Sequence, residues 1–347
     1  MTKTETVETI DWHTGGEPFR IVPDSPAAVT GAGLTVAERR IVAMESDEAQ
    51  WVRALLCSEP RGHADMYGCF LVPPDDAGAH LGVLFWHKDG FSTACGHGTI
   101  ALGAWMVASG RVPAPADGVT DVVIDVPSGR VTASVRTRAG LVEEVTFTNV
   151  PSYVHGRNVP VATSRGTVTV DIAFGGAMYA VLPVAAVGLR VRPEDVASLT
   201  AVGREIRHAL NAADAVEHPG DARLSGLYGT IFTEEVCPPL LLAEGGRRLH
   251  HRNLTVFSDG EVDRSPCGSG TSARVALLAD AGELCLGDEL RHESVVGSMF
   301  SARIAERTLV HGIQAVVPAV TGTAHATGTC RFTVDRRDAL VPGFVLR

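Results

Sequence analysis

A five-residue pattern occurs twice in this chain, and the repeat limits the folds that the chain can adopt. The segment CGHGT occupies residues 95–99, and CGSGT occupies residues 267–271, close to half of the 347-residue chain further on. The match continues to Ala101 and Ala273, which hold the same position in each copy. A repeat at this distance predicts two related halves that fold alike.

Each copy of the pattern opens an apolar helical segment. Residues 98–110 read GTIALGAWMVASG and residues 270–282 read GTSARVALLADAG, so each segment ends at a glycine, a common helix stop. Neither segment has a polar face, and a helix of that kind is normally buried on every side. We therefore predict an α/β fold of two pseudo-symmetric halves, each a curved, mostly antiparallel sheet around one central helix.

Short runs rich in Val, Ile, Thr and Phe surround these segments and are typical of strands. They include RIVAM (40–44), LGVLFWH (81–87), DVVIDV (121–126), VTASVRT (131–137), EEVTFTNV (143–150), TVTVDIAFGGAMYAVL (167–182), LYGTIFT (227–233), LTVFS (254–258) and ARIAERTLV (302–310). Two candidate helices, at 35–44 and 193–211, are expected outside the sheets. We place the boundary near residue 180, which gives a first half over 1–180 and a second over 181–334.

Composition argues against several classes of protein. The formal net charge is −10, and no basic stretch could follow a phosphate backbone, so a nucleic acid is not an expected partner. The apolar runs are too short to span a bilayer, and the first residues lack the apolar core of a signal peptide. We expect a cytoplasmic protein without a membrane partner. The seven cysteines include no C-x-x-C pair, which argues against a structural zinc site, and we expect no metal.

The scarcity of lysine favours chemistry without a cofactor. The chain contains only Lys3 and Lys88, and an enzyme that uses pyridoxal phosphate needs a lysine for the Schiff base. Lys3 lies in the N-terminal fringe, and Lys88 lies in WHKDG, which is typical of a turn. The sequence also lacks the G-x-x-x-x-G-K pattern of nucleotide-binding loops.

A cysteine directly before a helix occupies a position suited to acid/base chemistry. The first amide N–H groups of a helix have no partner inside the helix, and together with the helix dipole they attract negative charge. This field contributes up to about 2 kcal/mol in a favourable site. We therefore expect lowered thiol pKa values at Cys95 and Cys267.

Two such cysteines on matching halves predict a specific reaction. If the halves face each other, one sulfur removes a proton from a carbon and the other returns a proton on the opposite side, which inverts that carbon. The amides of Gly96, His97, Gly268 and Ser269 are the expected binding site for a substrate carboxylate. They would also stabilise the negative charge that spreads onto that carboxylate when the proton leaves.

The segments STACGHGTIALG (92–103) and DRSPCGSGTSARVALL (263–278) resemble the two active-site motifs of the proline racemase family. That family also contains 4-hydroxyproline 2-epimerases and trans-3-hydroxy-L-proline dehydratases. Further similar stretches cover nearly the whole chain: DWHTGGEPFRIV (11–22), EPRGHADMYGCFLVPP (59–74), FGGAMYAVL (174–182), VPAVTGTAHATG (317–328) and LVPGFVLR (340–347). The resemblance implies a fold like that of diaminopimelate epimerase, with the tail at 335–347 packed back on the first half.

The resemblance also implies roles for individual residues. Cys95 and Cys267 correspond to the two acid/base residues, and Asp263 corresponds to the residue that holds the substrate ammonium group. His97 is expected to orient Cys95 or the carboxylate, and Phe257 to form an aromatic wall against the pyrrolidine ring. Members of the family are often dimers, so a homodimer is a further expectation, and no cofactor is implied.

The resemblance leaves the reaction open. Dehydratases of the family carry Thr in place of the second cysteine, so Cys267 favours a racemase or epimerase that acts on proline or 4-hydroxyproline. However, HADMYG (63–68) resembles the proline racemase and dehydratase branches more than the usual 4-hydroxyproline epimerases. The alternatives are a trans-3-hydroxy-L-proline dehydratase and, more remotely, a Cys–His thiol hydrolase with Cys95 as nucleophile or an inactive imino-acid-binding protein. The hydrolase would leave the second motif unexplained.

Overall fold

Two buried helices, α4 (Gly96–Ala108) and α6 (Gly268–Asp280), lie at the centres of the fold in the computed structural model, which describes residues 5–243 and 245–346. Apart from Arg274 and their last residues, both helices are buried throughout. The two expected glycine stops follow directly, and Gly110 and Gly282 have φ values of 70° and 72°. This left-handed conformation favours glycine, which explains why both helices end there.

In the described part of the chain, eighteen strands are hydrogen-bonded into one continuous, mostly antiparallel sheet. In chain order they are β1 (Glu5–Thr14), β2 (Glu17–Val22), β3 (Gly68–Val72), β4 (Leu81–His87), β5 (Gly90–Phe91), β6 (Gly118–Val126), β7 (Gly129–Arg138), β8 (Leu141–Thr148), β9 (Ser152–Thr163), β10 (Gly166–Phe174), β11 (Met178–Pro183), β12 (Leu227–Leu241), β13 (Arg247–Phe257), β14 (Glu261–Val262), β15 (Glu289–Ser294), β16 (Met299–Val310), β17 (Ile313–Gly322) and β18 (Ala324–Val334).

The sheet curls around both central helices. Helix α4 packs against β1, β2, β6, β7, β8 and β18, whereas α6 packs against β9, β10, β11, β16 and β17. The two parts are continuous because β8 pairs with β17, from Val145 opposite Gly322 to Thr148 opposite Ala319. The fold is therefore the expected one, with two α/β halves that each wrap a curved sheet around one helix.

The connection between the halves is more interleaved than a single crossing. Strands β9 and β10 contact α6, although both precede residue 180, and β18 pairs with β1 although it follows that boundary. The boundary near 180 stays a prediction, and we propose that the chain crosses earlier, near residue 150. In the C-terminal tail, Phe344 exchanges two backbone hydrogen bonds with Glu59 of the first half, at 2.9 and 3.0 Å.

The described residues form four further α-helices: α1 (Ala27–Thr30), α2 (Val36–Glu45), α3 (Asp47–Cys57) and α5 (Val196–Ala212). They also form three short 3-10 helices, at Val184–Val187, Pro193–Asp195 and Ala222–Leu224. Helices α2 and α5 confirm the two candidate outer helices. The β-rich run RIVAM lies inside α2, so its assignment as a strand is wrong. The reason is local: the Thr35 hydroxyl accepts from the Glu38 amide while the Glu38 carboxylate accepts from the Thr35 amide, and this capping box starts a helix just before the run.

Helices α1 and α3 were not expected from the sequence. Helix α3 begins where the Ser46 hydroxyl accepts from the Ala49 amide, directly after α2 ends. Both helices pack with α2 over the outer face of the first half, against a cluster that includes Phe70 and Trp86. Within the described residues, every helix falls short of the length and apolar character that a membrane span requires.

Candidate active site

The two cysteine motifs meet between the halves, where α4 and α6 approach each other with their N-termini. A Cβ placed on Gly96 would lie 2.5 Å from the Cα of Gly268, and one placed on Gly268 would lie 2.6 Å from the Cα of Gly96. No larger residue fits at either position unless the backbone moves. The glycine after each cysteine is thus a requirement of this contact, which directs the unpaired N–H groups of both helices toward one place.

Cys95 caps α4 through its sulfur. The Gly98 amide donates a hydrogen bond to Cys95 Sγ at 3.2 Å, and the His97 ring contacts the same sulfur, with Nδ1 at 3.4 Å. The residue is 5% exposed and has an extended backbone, with φ of −153°. The first motif therefore fixes its thiol between a helix amide and an imidazole ring.

Cys267 caps α6 in the same way but with different neighbours. The Gly270 amide donates to Cys267 Sγ at 3.3 Å, whereas the hydroxyls of Ser269 and Tyr179 both lie 3.9 Å from the sulfur. Ser269 Oγ and Tyr179 OH are hydrogen-bonded to each other at 2.7 Å. Cys267 is also 5% exposed, and its φ of 63° lies in the region that side chains other than glycine disfavour.

The prediction that the helix N-termini lower both thiol pKa values is wrong for this structure. Burial raises the pKa of Cys95 well above its usual value, and the charges of Asp263 and Cys267 raise it further. Burial, followed by the charge of Asp263, likewise raises the pKa of Cys267. The amides of Gly98 and Gly270 act in the expected direction, but the cost of desolvating a buried thiolate is larger.

His97 connects the first cysteine to the second motif. Its Nδ1 lies 3.9 Å from Asp263 Oδ2 as well as 3.4 Å from Cys95 Sγ, and its carbonyl accepts a hydrogen bond from the Thr14 hydroxyl at 2.9 Å. Burial lowers the pKa of His97 to about 3, so the ring is neutral at physiological pH. A neutral ring held in this way can orient the thiol, but it is a poor acceptor for the thiol proton.

Asp263 lies buried beside both motifs. Its Oδ1 accepts a hydrogen bond from the Ser265 amide at 2.8 Å, and burial raises its pKa to about 6. A second buried carboxylate, Glu17, accepts from the Arg264 amide at 2.7 Å, and its other oxygen has no hydrogen-bond partner among the described residues. Burial and then the charge of Asp263 raise the pKa of Glu17 well above its usual value. Together these two acids form a region that favours a cation.

Phe257 belongs to a group of aromatic rings beside the cysteine pair. Its ring stacks on Tyr228, with centroids 5.6 Å apart, and meets Tyr67 edge-on at 5.7 Å. Tyr67 in turn contacts the His97 ring at 5.0 Å. The ring expected to form an aromatic wall is therefore buried and connected to His97 through Tyr67, and its role toward a substrate stays a prediction.

The structure brings all the predicted residues of the site together and adds others. Four further residues lie at this site although the sequence did not predict them: Glu17, Tyr67, Tyr179 and Tyr228. The first three lie in stretches already noted as similar to the family, DWHTGGEPFRIV, HADMYG and FGGAMYAVL. Nothing in a single sequence distinguishes a tyrosine at the site from one in the core, because the distinction depends on contacts across the two halves.

A cavity of about 390 Å³ lies next to the site, between the halves. Its lining residues include Arg40, Arg207, Ser92 and Tyr228, whereas the two cysteines are buried and do not line it. Because Tyr228 also stacks on Phe257, this side chain connects the cavity to the aromatic group.

Within the part of the chain that the structure describes, one cluster of potential metal ligands is found, and it lies near this cavity. His87, Asp89 and Glu261 place ligand atoms within 4.8 Å of one another. Those atoms already contact one another or Lys88: His87 Nδ1 is 3.0 Å from Glu261 Oε1, and Lys88 Nζ is 2.6 Å from Asp89 Oδ2. The Lys88 ammonium thus supplies positive charge to this cluster, and the cluster joins the first half to the second.

Comparisons with known proteins agree with this geometry. A family model described as Proline racemase matches residues 9–345. A trans-3-hydroxy-L-proline dehydratase of Azospirillum brasilense is 43% identical over 349 residues, and a 3-hydroxyproline 2-epimerase of Burkholderia multivorans is 42% identical over 348 residues. Both alignments cover 100% of this chain and 100% of the relative.

A solved structure extends the likeness to the fold. The hydroxyproline epimerase of Agrobacterium vitis, with bound trans-4-hydroxy-L-proline, superposes with a TM-score of 0.87 at 29% identity. The match covers 100% of this chain and 97% of that one. Sequence and fold therefore agree along the whole length, and the chain belongs to the proline racemase family.

Proposed function

We propose that this protein is a cofactor-independent racemase or epimerase that inverts the α-carbon of proline or a hydroxyproline with two thiols. The observation that carries the proposal is the contact between two cysteine-capped helices, which brings one thiol from each half to a shared site. Two acid/base groups on opposite sides of one carbon are what inversion requires.

The proposed reaction uses the two sulfurs in turn. The substrate carboxylate binds the unpaired amides at the starts of α4 and α6, at Gly96, His97, Gly268 and Ser269. One thiolate takes the α-proton, and the electron pair of the broken C–H bond spreads onto the carboxylate, where the same amides stabilise it. The opposite thiol then donates its proton to the other face of the carbon. The enzyme finishes with the protonation states of its sulfurs exchanged.

Asp263 binds the substrate ammonium and also influences how easily the two thiols ionise. Its charge raises the pKa of Cys95 and of Cys267. An ammonium group bound to Asp263 would offset that charge and remove this part of the penalty. Substrate binding would thus favour the thiolate form at the moment when a base is needed.

The relative named trans-3-hydroxy-L-proline dehydratase supports a second candidate function, the dehydration of trans-3-hydroxy-L-proline, whereas the one named 3-hydroxyproline 2-epimerase supports inversion. Dehydration starts with the same removal of the α-proton, after which the carbanion expels the hydroxyl group on the neighbouring carbon, and it needs a base on one face only. Cys267 in the second motif favours inversion, because a second thiol has no necessary part in dehydration.

The neutral state of His97 disfavours the thiol hydrolase. A hydrolase of that kind needs a histidine that accepts the thiol proton, and burial gives His97 a pKa of about 3, far below that of Cys95. A proton would therefore stay on the sulfur in this pair.

Hydrogen exchange in heavy water tests the proposal directly. Dialysed protein without added cofactor is incubated with L-proline, D-proline, trans-4-hydroxy-L-proline and trans-3-hydroxy-L-proline, and the products are followed by proton NMR and chiral chromatography. We expect solvent deuterium at the α-carbon together with the inverted isomer. Loss of water from the 3-hydroxy substrate to a cyclic imine, without inversion of any substrate, would establish the dehydratase instead. Absence of both reactions would overturn both functions.

A further inference from the structure

Three buried polar side chains meet at the carbonyl group of Pro266, the residue directly before Cys267. Asn253 lies on β13, His292 lies on the neighbouring strand β15, and Thr271 lies near the start of α6. None of the three is more than 1% exposed. Polar groups buried this completely need hydrogen-bond partners. These side chains find partners in one another and in the Pro266 carbonyl, and we call the three the Pro266 cluster.

The hydrogen bonds of the cluster have one consistent direction. Asn253 Nδ2 and Thr271 Oγ1 donate to the Pro266 carbonyl, at 2.9 and 3.0 Å. The single Thr271 hydroxyl proton is used there, so His292 Nδ1, which lies 2.8 Å from Thr271 Oγ1, is the donor in that contact. His292 Nε2, which lies 2.9 Å from Asn253 Nδ2, accepts the second amide proton. Burial lowers the pKa of His292 well below its usual value, so the ring is neutral and fills both roles.

The peptide group between Pro266 and Cys267 is therefore held at both ends. Its N–H donates to the Ser265 hydroxyl at 3.1 Å, and its carbonyl accepts from two members of the cluster. The orientation of this peptide relative to α6 sets the φ of Cys267, which is 63°. A conformation that side chains disfavour persists only where the surrounding contacts enforce it. The contacts of the Pro266 carbonyl are of that kind.

The first motif shows the opposite arrangement at the equivalent threonine. Thr99 holds the same place in CGHGT as Thr271 in CGSGT. It donates to the carbonyl of Cys95 itself, at 2.8 Å, and Cys95 has an ordinary extended backbone. The threonine bonds to the peptide before the cysteine only in the motif whose cysteine has a positive φ. The cluster is thus linked to the conformation of Cys267.

We propose that the Pro266 cluster positions the Cys267 thiol for proton transfer by holding the peptide group between Pro266 and Cys267. The inference goes beyond the proposed function, on which it rests for the role of the thiol, and it makes Asn253, Thr271 and His292 positioning residues. They act through the backbone of Cys267. Because a displacement of a reacting group by about 1 Å can lower a rate by about 10²-fold, a fixed peptide at this place matters for inversion.

Unfolding in urea tests the cluster without any assumption about the reaction. The stability gap between Cys267→Gly and Cys267→Ala reports the strain at this position, because only glycine relieves a positive φ. The gap is measured in the wild-type background, in Thr271→Val, which removes the hydroxyl at nearly the same shape, and in Thr271→Ser, which keeps it. Asn253→Ala, which removes the other donor to the carbonyl, is a second background.

We expect the gap to fall to less than about half in Thr271→Val and Asn253→Ala, because the peptide can then turn and relax Cys267, and to persist in Thr271→Ser. Thr230→Val is the matched control: Thr230 is equally buried in the second half and donates to the Gly203 carbonyl at 3.1 Å. Its gap should equal that of the wild type. A gap that stays the same in both cluster backgrounds would overturn the proposal.

Kinetics then tests the link to inversion. We expect Thr271→Val to lower kcat about tenfold or more with KM nearly unchanged, Thr271→Ser to stay within about threefold of the wild type, and Thr230→Val to match it. In Thr271→Val, the deuterium isotope effects on kcat/KM for the two α-deuterated isomers should shift in opposite directions, because only one isomer is deprotonated by Cys267.

An unchanged kcat in Thr271→Val, or isotope effects that shift in the same direction, would overturn the positioning role even if the stability gap responds. If the wild type inverts no substrate but the stability gap falls as expected, the proposed function fails, whereas the control of the Cys267 backbone by the Pro266 cluster stands. The two failures are therefore distinguishable.

Discussion

The two cysteine motifs have the same sequence pattern and the same helix cap, but they differ in what surrounds the thiol. Cys95 contacts the neutral imidazole ring of His97, whereas Cys267 lies near the hydroxyls of Ser269 and Tyr179. The repeat therefore reproduces the helix, the sulfur and the close glycine contact but leaves the chemical neighbours free to differ. The two faces of a substrate bound between the motifs would meet unequal acid/base groups.

The backbone shows the same contrast. Cys95 has φ of −153°, which any residue adopts, whereas Cys267 has φ of 63°, which costs a residue with a side chain roughly 1–2 kcal/mol. The Ser265 hydroxyl, which accepts from the Cys267 amide at 3.1 Å, helps to hold this conformation. The backbone conformation that directs the Cys267 thiol thus lowers the folding stability, and strain of this kind is typical of functional positions.

The largest expected effect is the loss of inversion when either thiol is removed. Cys95→Ser and Cys267→Ser should each lower kcat for inversion by about 10²–10⁴-fold, because serine is a far weaker acid and base than cysteine. Serine is a good helix cap, so both variants should fold. Chiral chromatography measures inversion, and Cys285→Ser, at an exposed position, is the control.

The same variants can break the comparison between the motifs. Elimination from a 3-substituted proline needs a base on one face only. The serine variant that still has the thiol on that face should retain elimination activity, and the other serine variant should lose it. Equal retention of inversion in both serine variants would contradict the two-thiol mechanism.

The next effect concerns the acid that only the second motif carries. Asp263→Asn should lower kcat/KM by about 10–150-fold, since a hydrogen bond to a charged group contributes about 1.5–3 kcal/mol. Burial raises the pKa of Asp263 to about 6, so the carboxylate that we propose to bind the ammonium is mostly protonated below that pH. The wild-type kcat/KM should therefore fall as the pH drops through about 6.

Asp280→Asn, which changes an exposed acid paired with Arg157, is the control and should keep the wild-type profile. Because kcat/KM reports ionisation of the free enzyme, the Asp263→Asn profile should lack the step near pH 6. The assignment of Asp263 to the ammonium group fails if its replacement leaves both the rate and the profile unchanged.

A smaller effect sharpens the difference between the neighbours of the two thiols. His97→Asn should slow the proton transfer at Cys95, and Ser269→Ala the transfer at Cys267, each by about tenfold or less. In each variant kcat/KM falls by the same factor in both directions of inversion, because the equilibrium constant fixes the ratio of the two kcat/KM values. Primary deuterium isotope effects on kcat/KM show instead which of the two proton transfers limits the rate of each variant.

In His97→Asn the isotope effect should rise for the α-deuterated isomer that Cys95 deprotonates and fall for the other, and Ser269→Ala should show the reverse. Isotope effects that move in the same direction for both isomers would mean that these side chains do not act on separate thiols.

The smallest effect is on stability and follows from the backbone contrast. Glycine is a better helix cap than alanine at both positions, but only at 267 does it also relieve a positive φ. The stability gap between Cys267→Gly and Cys267→Ala should exceed the gap between Cys95→Gly and Cys95→Ala by about 1 kcal/mol. Urea unfolding of the four variants measures both gaps, and equal gaps would show that Cys267 is not strained.

Much of the fold was predictable because it depends on local patterns. The two apolar helices with their glycine stops, the outer helices near 35–44 and 193–211, and most strands follow from periodicity and from residues such as Gly110 and Gly282. The run RIVAM was wrongly predicted as a strand because its β-branched residues favour strands. The capping box that starts at Thr35 places them in a helix instead. The interleaving of β9 and β18 between halves has no local signal, since it is a matter of pairing between distant strands.

The sequence alone determined that two cysteines begin two buried helices, because the repeat, the apolar segments and the glycines are local features of the chain. Only the tertiary structure decided how those cysteines behave. Burial raises the thiol pKa values against the effect of the helix amides, and it makes His97 neutral. The tyrosines of the site likewise became visible only when two halves, distant in sequence, were packed together. Desolvation and contacts across an interface depend on the whole fold, so they leave no pattern in a short stretch of sequence.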